Sequence, residues 1–436
     1  MDIKKLYEIY LSHPFVTTDT RNCKPGAIFF ALKGENFDGN NFVGEALEKG
    51  CEFAISDCAA VFPENEKVIH VEDSLKTLQD LANYHRRQLK VPVIGITGTN
   101  GKTTTKELIA AVLSSKYRLL FTQGNLNNHI GVPLTLLQLR PEHEYAIIEM
   151  GASHPGEIKT LAEIAEPDFG IITNVGKAHL EGFGSFEAII RTKGELYDYL
   201  RMAGGTIFIN HENPYLNGIA GDLKRVFYGK TKDSVVWGET VSSFPFLSFK
   251  WNTDKWNTGE ELHEVKTQLI GDYNLENTLV AVAVGNYFSV DVHKINKALE
   301  EYCPQNNRSQ FKDTGKNKLI IDAYNANPTS MTAALENFDK MKVSPKMLIV
   351  GDMKELGAQS KEEHQKIINL IEQLNFDRVF LCGPEFSSFP VYHSDFHQFE
   401  TRDEMTQYLK TTDIAGYNIL IKGSRGMQLE KTVELL

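Results

Sequence analysis

The stretch Val93-Ile-Gly-Ile-Thr-Gly-Thr-Asn-Gly-Lys-Thr-Thr-Thr-Lys-Glu107 passes from an apolar run through a glycine-containing loop into a helical pattern. Residues 91–96 predict a buried strand, residues 98–101 a tight loop, and the apolar residues from Leu108 onward a helix. Glycines let backbone N–H groups converge on anionic oxygens, and the N-terminus of a helix adds a partial positive charge. The stretch therefore predicts a phosphate-binding site.

Two side chains that follow the loop fit the chemistry of a bound nucleotide. Lys102 is placed to reach the outer phosphates, and the Thr103 hydroxyl is placed to hold Mg²⁺. Ile96 stands where the common phosphate-loop pattern has a glycine, so this loop is shorter. The alternative interpretation is an ordinary glycine turn between a strand and a helix. The predicted nucleotide-binding residues are Gly98, Thr99, Asn100, Gly101, Lys102, Thr103 and Thr104.

Length and composition predict a multidomain protein without a membrane-spanning segment. A chain of 436 residues corresponds to about three domains. The hydrophobic fraction of 42% is ample for buried cores, and no run approaches the roughly 20 apolar residues that span a bilayer. The first residues form a mixed, charged helical pattern rather than a secretory signal. We therefore expect a cytoplasmic protein.

Charge and cysteine usage exclude several classes of partner and site. The net charge of −11 argues against nucleic acid as the main partner, while a few local cations still allow an anionic small substrate. The cysteines are scattered and none forms a C-x-x-C pair, which disfavours a disulfide framework or a zinc site. We expect them to be small buried residues in a reducing compartment. They are Cys23, Cys51, Cys58, Cys303 and Cys382.

The order of predicted strands and helices divides the chain into three α/β domains. Residues 1–87 are predicted as a small domain, 88–306 as a central domain with a mostly parallel sheet, and 307–436 as a Rossmann-like domain. Short β-rich runs at 225–270 predict an antiparallel addition to the central sheet. Ligands of parallel sheets bind at the carboxyl ends of the strands, so polar residues at those ends are candidates for the site.

Three residues of the predicted central domain are candidates for chemistry. Glu149 ends a predicted strand and is placed to hold Mg²⁺, the alternative being a solvated carboxylate at a strand end. His179 follows another strand and is a candidate to ligate a second Mg²⁺ or to orient phosphate. A lone histidine, however, is more often a structural or a surface residue. Lys193 lies on a predicted helix, where a lysine is normally solvated.

Further polar groups lie at one helix start and at three strand ends. Asn274 and Asn277 are one helical turn apart and could read an adenine edge, while Asn274 could also cap the helix. We interpret the clusters at the three strand ends as one functional rim, although each alone is compatible with ordinary loop chemistry. The clusters are Asp322, Asn325 and Asn327; Asp352; and Lys422, Ser424 and Arg425.

Taken together, these motifs resemble those of the Mur ligases of bacterial cell-wall synthesis, in the same order and over nearly the whole chain. The loop at 98–104 resembles the phosphate loop of that family, which accounts for its short spacing. Gly124-Asn-Leu-Asn-Asn128 is the most specific block, and Tyr324-Asn-Ala-Asn-Pro328 and Gly351-Asp-Met-Lys-Glu-Leu-Gly357 agree with it. The sequence lacks the Asp-Asn-Pro-Arg tetrapeptide usual in the members that add diaminopimelate or lysine.

The resemblance implies an amide ligase that uses ATP and Mg²⁺ and releases ADP and phosphate. It implies UDP-N-acetylmuramoyl-tripeptide and D-alanyl-D-alanine as substrates and an acyl phosphate as the intermediate. We expect a monomer, with no nucleic acid partner and no membrane insertion.

The resemblance also implies roles for individual residues. The implied catalytic residues are Lys102, Glu149, His179, Lys193 and Arg308. The implied metal ligands are Thr103, Glu149, His179 and, if carbamylated as in several family members, Lys193. The positions that match the adenine, ribose and γ-phosphate side are Asn274, Asn277, Arg308 and Asp322. The implied contacts of the UDP-linked substrate are Asp19, Thr20, Arg21, Lys33, Gly34, Asn125, Asn127 and Asn128, and those of the amine are Asn325 and Asn327.

Two alternatives of function remain at this point. The first is a related amide ligase with another acceptor, such as a folylpolyglutamate synthase-like enzyme. The block at 124–128 and the resemblance of the first domain to a UDP-binding domain argue against it. The second is a nucleotide-dependent binding module without ligase activity. Such a module would bind ATP but would release no phosphate when substrates are added.

Overall fold

The computed structural model describes residues 1–253, 262–304, 308–374, 376–391 and 393–436. Its three main sheets lie in three successive parts of the chain. We refer to these parts as the first unit (1–87), the central unit (88–304) and the third unit (308–436). The predicted domain boundary between residues 306 and 307 lies outside the described residues, and the division at residue 87 stays a prediction.

The first unit contains a small parallel sheet with the strand order β1-β2-β5-β6 and a short antiparallel hairpin, β3-β4. The strands are β1 (Val16–Thr17), β2 (Ile28–Phe30), β3 (Lys33–Gly34), β4 (Phe37–Asp38), β5 (Phe53–Ser56) and β6 (Val68–His70). The strand β2 is fully buried, because helices cover the sheet. The helices are α1 (Ile3–Ser12), α2 (Val43–Glu48) and α3 (Ser74–Leu89).

The central unit is built on a sheet with the order β15-β14-β13-β12-β11-β10-β7-β9-β8 among the described residues. The strands are β7 (Val93–Thr97), β8 (Leu119–Phe121), β9 (Tyr145–Glu149), β10 (Phe169–Ile172), β11 (Thr206–Asn210), β12 (Lys224–Gly229), β13 (Val236–Ser242), β14 (Ser248–Thr253) and β15 (His263–Lys266). The helices are α4 (Lys102–Ser114), α5 (Gly131–Leu136), α6 (Glu157–Ala165), α7 (Leu180–Phe183), α8 (Phe186–Ala203), α9 (Pro214–Ala220), α10 (Asn274–Tyr287) and α11 (Val292–Glu301). The mostly parallel central sheet is confirmed.

The antiparallel part of this sheet is smaller than the sequence predicted. Strand β12 pairs parallel with β11, and the short β12–β13 pairing is also parallel. Among the described residues of this sheet, antiparallel pairing is confined to β13–β14 and β14–β15. The reason lies in the connection between β11 and β12, where α9 crosses over as in any βαβ unit and brings the next strand back in parallel.

The third unit has the strand order β16-β17-β21-β18-β19-β20, parallel except for the edge pair β16–β17. The strands are β16 (Gln310–Asp313), β17 (Lys318–Asp322), β18 (Lys346–Gly351), β19 (Arg378–Cys382), β20 (Phe396–Phe399) and β21 (Asn418–Lys422). The helices are α12 (Pro328–Lys340), α13 (Ser360–Gln373), α14 (Pro384–Ser387) and α15 (Arg402–Thr411). This mostly parallel sheet with its helices is the α/β arrangement that the sequence predicted for this part of the chain.

Two general expectations can be compared with the structure. Among the described residues, no helix combines the length and the apolar content that crossing a bilayer requires. The expectation for the cysteines is only partly met, because Cys51 and Cys382 are buried whereas Cys303 is exposed and Cys23 and Cys58 are half-buried. Cys303 follows the end of α11, where the chain runs over the surface.

Candidate active site

A cavity of about 610 Å³ lies between the carboxyl ends of the central strands and the third unit. The phosphate loop forms one wall, and residues that follow β9 and β10 extend it. The start of α10 lies beside the phosphate loop, and residues around Asp322 in the third unit complete the lining. The cavity therefore lies where the strand topology predicts a ligand site.

Two glycines give the phosphate loop a path that other residues could not follow. Gly98 has φ +142°, and a Cβ there would lie 2.0 Å from the Thr173 hydroxyl oxygen. Gly101 has φ +78°, and a Cβ would lie 2.7 Å from Asn277 Oδ1. Both positions therefore require glycine for backbone conformation and for close packing.

The loop is fixed by hydrogen bonds to the segment that follows β10. The backbone N–H of Asn100 donates to Asn174 Oδ1 at 3.0 Å, and its carbonyl accepts from the Thr173 hydroxyl at 2.6 Å. The Thr99 hydroxyl exchanges hydrogen bonds with the backbone of Gly176. The protein itself thus fixes the path of the loop, which is the preorganisation that an anion site needs.

Lys102 begins α4 and lies on the cavity wall. Its ammonium donates to the carbonyls of Gly98 and Thr99 at 2.8 and 3.0 Å. Burial lowers the pKa of Lys102, and the nearby Glu149 carboxylate opposes that shift. A poorly solvated ammonium beside the loop is well suited to binding phosphate oxygens.

Glu149 is 1% exposed at the end of β9 and has one carboxylate oxygen in use. Its Oε1 accepts from the Thr103 hydroxyl at 3.1 Å and from Asn127 Nδ2 at 2.8 Å. Its Oε2 has no hydrogen-bond donor among the described residues, and the nearest cation is Lys106 Nζ at 3.9 Å. An unpaired carboxylate oxygen beside a threonine hydroxyl fits a hard divalent cation such as Mg²⁺.

His179 lines the same cavity, but its ring faces the third unit. Its φ of +50° places it in the left-handed region immediately before α7. Its Nδ1 contacts the carboxylate of Glu355, which lowers the pKa of that carboxyl group. Within the described ranges, no three His, Cys, Asp or Glu side chains form a metal-binding cluster.

Lys193 is buried inside α8, unlike the solvated lysine that is usual on a helix. Its side chain is 2% exposed, and its Nζ lies 3.5 Å from the Ala152 carbonyl on the cavity wall. Burial lowers the pKa of Lys193 to about 7, and the positive charge of Lys102 contributes to the shift. A large fraction of this amine is therefore neutral near neutral pH.

Asn274 and Asn277 both line the cavity at the start of α10. Asn277 Nδ2 donates to Asn274 Oδ1 at 2.9 Å, and Asn277 Oδ1 accepts from the Thr105 hydroxyl. The capping alternative for Asn274 is wrong, because Tyr273 occupies the N-cap position and Asn274 is the first helical residue. The two amides instead form a linked pair between α10 and α4.

The third unit contributes a cation and a carboxylate to the cavity. The guanidinium of Arg308 stacks 3.7 Å above the ring centre of Tyr324. Asp322 forms an ion pair with Lys422 at 2.5 Å, and Lys422 is almost fully buried. These groups face the phosphate loop across the cavity, so the site is shared between two units.

Models of known families match three successive parts of the chain. The Mur ligase family, catalytic domain matches residues 13–86, the Mur ligase middle domain matches 96–285, and the Mur ligase, glutamate ligase domain matches 307–425. A UDP-N-acetylmuramoyl-tripeptide–D-alanyl-D-alanine ligase of Bacillus subtilis is 36% identical, covering 96% of this chain and 92% of that protein. The chain belongs to the Mur ligase family.

Solved structures agree with this assignment. MurF from Acinetobacter baumannii superposes with a TM-score of 0.87 at 32% identity, covering 96% of this Mur ligase and 92% of that chain. MurF ligase from Thermotoga maritima in complex with ADP has a TM-score of 0.85 at 27% identity, covering 98% of this Mur ligase and 97% of that chain. The relative from Thermotoga maritima therefore binds a nucleotide in a similar fold.

In this Mur ligase, the residues predicted to contact the UDP part of the substrate do not line the cavity. Asp19 and Arg21 form an exposed ion pair at 2.6 Å, and Thr20 lies between them in a 3₁₀ turn. Lys33 pairs with Asp57 at 2.9 Å, and Gly34 follows it on the β3–β4 hairpin. Their proposed role therefore concerns a different part of the substrate from the group that reacts.

The amides at 125–128, in contrast, lie at the cavity. Asn125, Asn127 and Asn128 all line it. Asn127 donates to Glu149, and Asn128 Oδ1 accepts from the N–H of Gly131 at the start of α5. This block thus connects Glu149, the predicted metal ligand, to the residues that are predicted to contact the UDP-linked substrate.

The rim predicted at the third sheet is only partly present. Asn325 and Lys422 line the cavity, whereas Asp352 is fully buried and accepts the N–H groups of Glu385 and Phe386 at the start of α14. Asp352 therefore stabilises a helix start and does not face the site. Asn327 is likewise outside the lining, because its amide is engaged at the start of α12.

Several cavity residues had no predicted role. Tyr273 and Ser309, whose hydroxyl oxygens are 2.9 Å apart, join the central and third units at the cavity. Lys106 does not line the cavity, but it is 1% exposed and its Nζ lies 3.9 Å from Glu149 Oε2. Asn174 and Tyr324 follow strands, so the strand-end rule could have found them. No sequence signal distinguishes Lys106 from a solvated helical lysine.

Proposed function

We propose that this Mur ligase joins D-alanyl-D-alanine to UDP-N-acetylmuramoyl-tripeptide, using ATP. One observation carries this proposal. The phosphate loop and Glu149 of the central unit line the same cavity as Arg308 and Asp322 of the third unit. The printed names of the relatives supply the substrates. The amide block at 125–128, which lines the same cavity, supports the choice of acceptor.

The reaction needs an activated carboxylate, because a free carboxylate has no good leaving group. Transfer of the γ-phosphate from ATP to the tripeptide carboxylate gives an acyl phosphate. Lys102, Arg308 and the backbone N–H groups at the start of α4 stabilise the negative charge that develops on the transferred group. The N–H groups of Thr99 and Asn100 instead donate to Asn174 and fix the loop. Mg²⁺ held by Thr103 and Glu149 would neutralise phosphate charge.

The second step is attack of the D-alanyl-D-alanine amine on the acyl phosphate, with loss of phosphate. Water must be excluded, because it would hydrolyse the activated intermediate. The position of the third unit over the cavity supports this exclusion, and Asn325, which is proposed to contact the amine, lines the cavity. The predicted adenine-side pair, Asn274 and Asn277, lines the cavity beside the phosphate loop.

We further propose that Lys193 is carbamylated. A neutral lysine amine adds CO₂, and a pKa of about 7 makes the neutral form well populated. The modification would convert a buried cation into a carboxylate-like oxygen ligand and remove the unfavourable proximity of two positive charges. Its oxygens, together with His179, are the proposed ligands of a second Mg²⁺.

The proposal is tested by phosphate release from the purified protein with ATP, Mg²⁺ and UDP-N-acetylmuramoyl-tripeptide, with and without D-alanyl-D-alanine. We expect release that depends on both substrates and a pentapeptide product identified by mass. Release with glutamate and a folate acceptor, but not with this pair, would contradict the assigned substrates. ATP binding without any release would favour the binding module considered from the sequence.

A further inference from the structure

A pair of amide side chains connects the third unit directly to the phosphate loop. Asn327 Nδ2 donates to Asn100 Oδ1 at 2.8 Å, and Asn100 Nδ2 lies 3.4 Å from Asn327 Oδ1. Asn327 is 4% exposed. Among the described residues, the hydrogen bonds between loop residues 98–101 and the third unit are those of this pair.

The same asparagine also fixes the first turn of α12. Its Oδ1 accepts from the backbone N–H of Ser330 at 2.9 Å, and its own N–H donates to the Ser330 hydroxyl, which completes a capping box. The next residue but one, Thr329, accepts from the backbone N–H of Lys177 at 2.9 Å. The N-terminus of α12 therefore contacts both loops that shape the phosphate site.

The loop end of this contact is rigidly connected to the nucleotide site. The Asn100 backbone is held by Thr173 and Asn174, so the Asn100 side chain projects from an anchored part of the loop. The other end is fixed by the capping box, so movement of α12 is transmitted to the loop. Small displacements of preorganised donors have large effects on transition-state stabilisation.

We propose that Asn327 is a positioning residue that couples the seating of the third unit to the geometry of the phosphate loop. It acts through Asn100, and we propose this role in place of the amine contact that the resemblance implied. This inference rests on the proposed ligase function. Loss of the contact is expected to slow phosphoryl transfer, because the third unit and the phosphate loop would no longer be held in a fixed relative position.

The test uses Asn327→Ser, since serine is also a good N-cap but is too short to reach Asn100. Asn213→Ser is the matched control, because Asn213 caps α9 in the same Asn-Pro arrangement away from the cavity. We expect Asn327→Ser to lower kcat for phosphate release about tenfold with little change in the KM for ATP. The control should retain the wild-type kcat, and both variants should unfold near the wild-type temperature.

A double-mutant cycle with Asn100→Ser separates coupling from two independent losses. If the residues act through their mutual hydrogen bond, the double variant should be no slower than the slower single variant. Multiplication of the two single effects would contradict the inference. Equal kcat values for Asn327→Ser and Asn213→Ser would also overturn it.

Hydrogen exchange of a peptide covering residues 98–104 gives a readout that does not depend on ligase activity. In the ligand-free protein, this peptide should exchange faster in Asn327→Ser than in the wild type or in Asn213→Ser. Unchanged exchange would overturn the coupling. If the wild type releases no phosphate with the proposed substrates, the proposed function fails while this exchange measurement still decides the coupling.

Discussion

The phosphate side of the cavity and the predicted UDP side of the molecule differ sharply in burial. Thr103, Glu149 and Lys193 are 5%, 1% and 2% exposed, and other protein groups fix each of them. In the first unit, the Arg21 and Lys33 side chains are 86% and 51% exposed, and each forms an ion pair with a neighbouring aspartate. One region is prearranged by the fold, and the other is held mainly by solvated charges.

This difference predicts two kinds of mutational effect. A buried group that is removed leaves its partners without compensation and displaces a preorganised arrangement, so the loss falls mainly on kcat. An exposed ion pair contributes little to stability and is screened by salt. An exposed charge that contacts a remote part of the substrate binds it to a similar extent in the ground state and in the transition state. Its loss should therefore change mainly KM.

Lys102→Ala is expected to have the largest effect. Removing the ammonium that we propose to bind the transferred phosphate should lower kcat for phosphate release about a thousandfold. The measurement is steady-state phosphate release at saturating ATP. Lys297→Ala, on the exposed face of α11, is a suitable control and should behave as the wild type. Near-normal turnover of Lys102→Ala would contradict the assignment of the phosphate loop.

Glu149→Gln tests the predicted cation site at nearly constant shape. The amide can still accept from Thr103, but it lacks the charge that a divalent cation requires. We expect kcat to fall about a hundredfold and the Mg²⁺ concentration for half-maximal rate to rise. Titration of the rate with Mg²⁺ measures both effects. Glu163→Gln, an exposed change on α6, is the control, and an unchanged Mg²⁺ requirement in Glu149→Gln would contradict the metal role.

The parts of the molecule that follow from local patterns were predictable from the sequence. A glycine loop between an apolar strand and a helix requires no long-range information, so residues 98–104 and the end of β9 could be placed in advance. The parallel pairing of β12 was missed, because only the crossover through α9 sets the direction of this strand. Pattern alone does not distinguish a parallel strand from an antiparallel one here.

The roles of single polar side chains were harder to predict. Lys193 and Lys106 have the sequence environment of solvated helical lysines, but packing of their helices against the sheet buries both. Asn327 and Asp352 follow strands, as site residues do, yet each stabilises the start of a helix. Which of two strand-end residues faces a cavity depends on the tertiary path of the following loop.

Lys193→Ala should have an intermediate effect, since the residue is buried but is proposed to act only after modification. We expect kcat to fall about tenfold and to recover partly with a small carboxylate such as formate or acetate. The rescue is measured as phosphate release against carboxylate concentration. Strong activity of Lys193→Ala without rescue would contradict the carbamate, and Lys159→Ala on the exposed side of α6 controls for loss of a lysine.

The modification itself can be detected with ¹³C-labelled bicarbonate. The wild type should show a carbamate carbon resonance that Lys193→Ala lacks. Because the pKa of Lys193 is lowered to about 7 and only the neutral amine adds CO₂, the signal at fixed dissolved CO₂ should grow as the pH rises through that value. A signal that decreases over this interval would contradict the assignment to Lys193.

Arg21→Ala is expected to have the smallest effect and tests the solvated side of the comparison. Its guanidinium pairs with Asp19 at the surface and is free to rearrange toward a diphosphate, so its loss should raise the KM for the UDP-linked substrate about threefold and leave kcat unchanged. Since screening already weakens this contact, the difference from the wild type should shrink at high salt. Lys67→Ala removes a comparable surface ion pair elsewhere in the first unit and should leave KM unchanged. A large loss of kcat in Arg21→Ala would mean that this region approaches the reacting groups, which the absence of Arg21 from the cavity lining argues against.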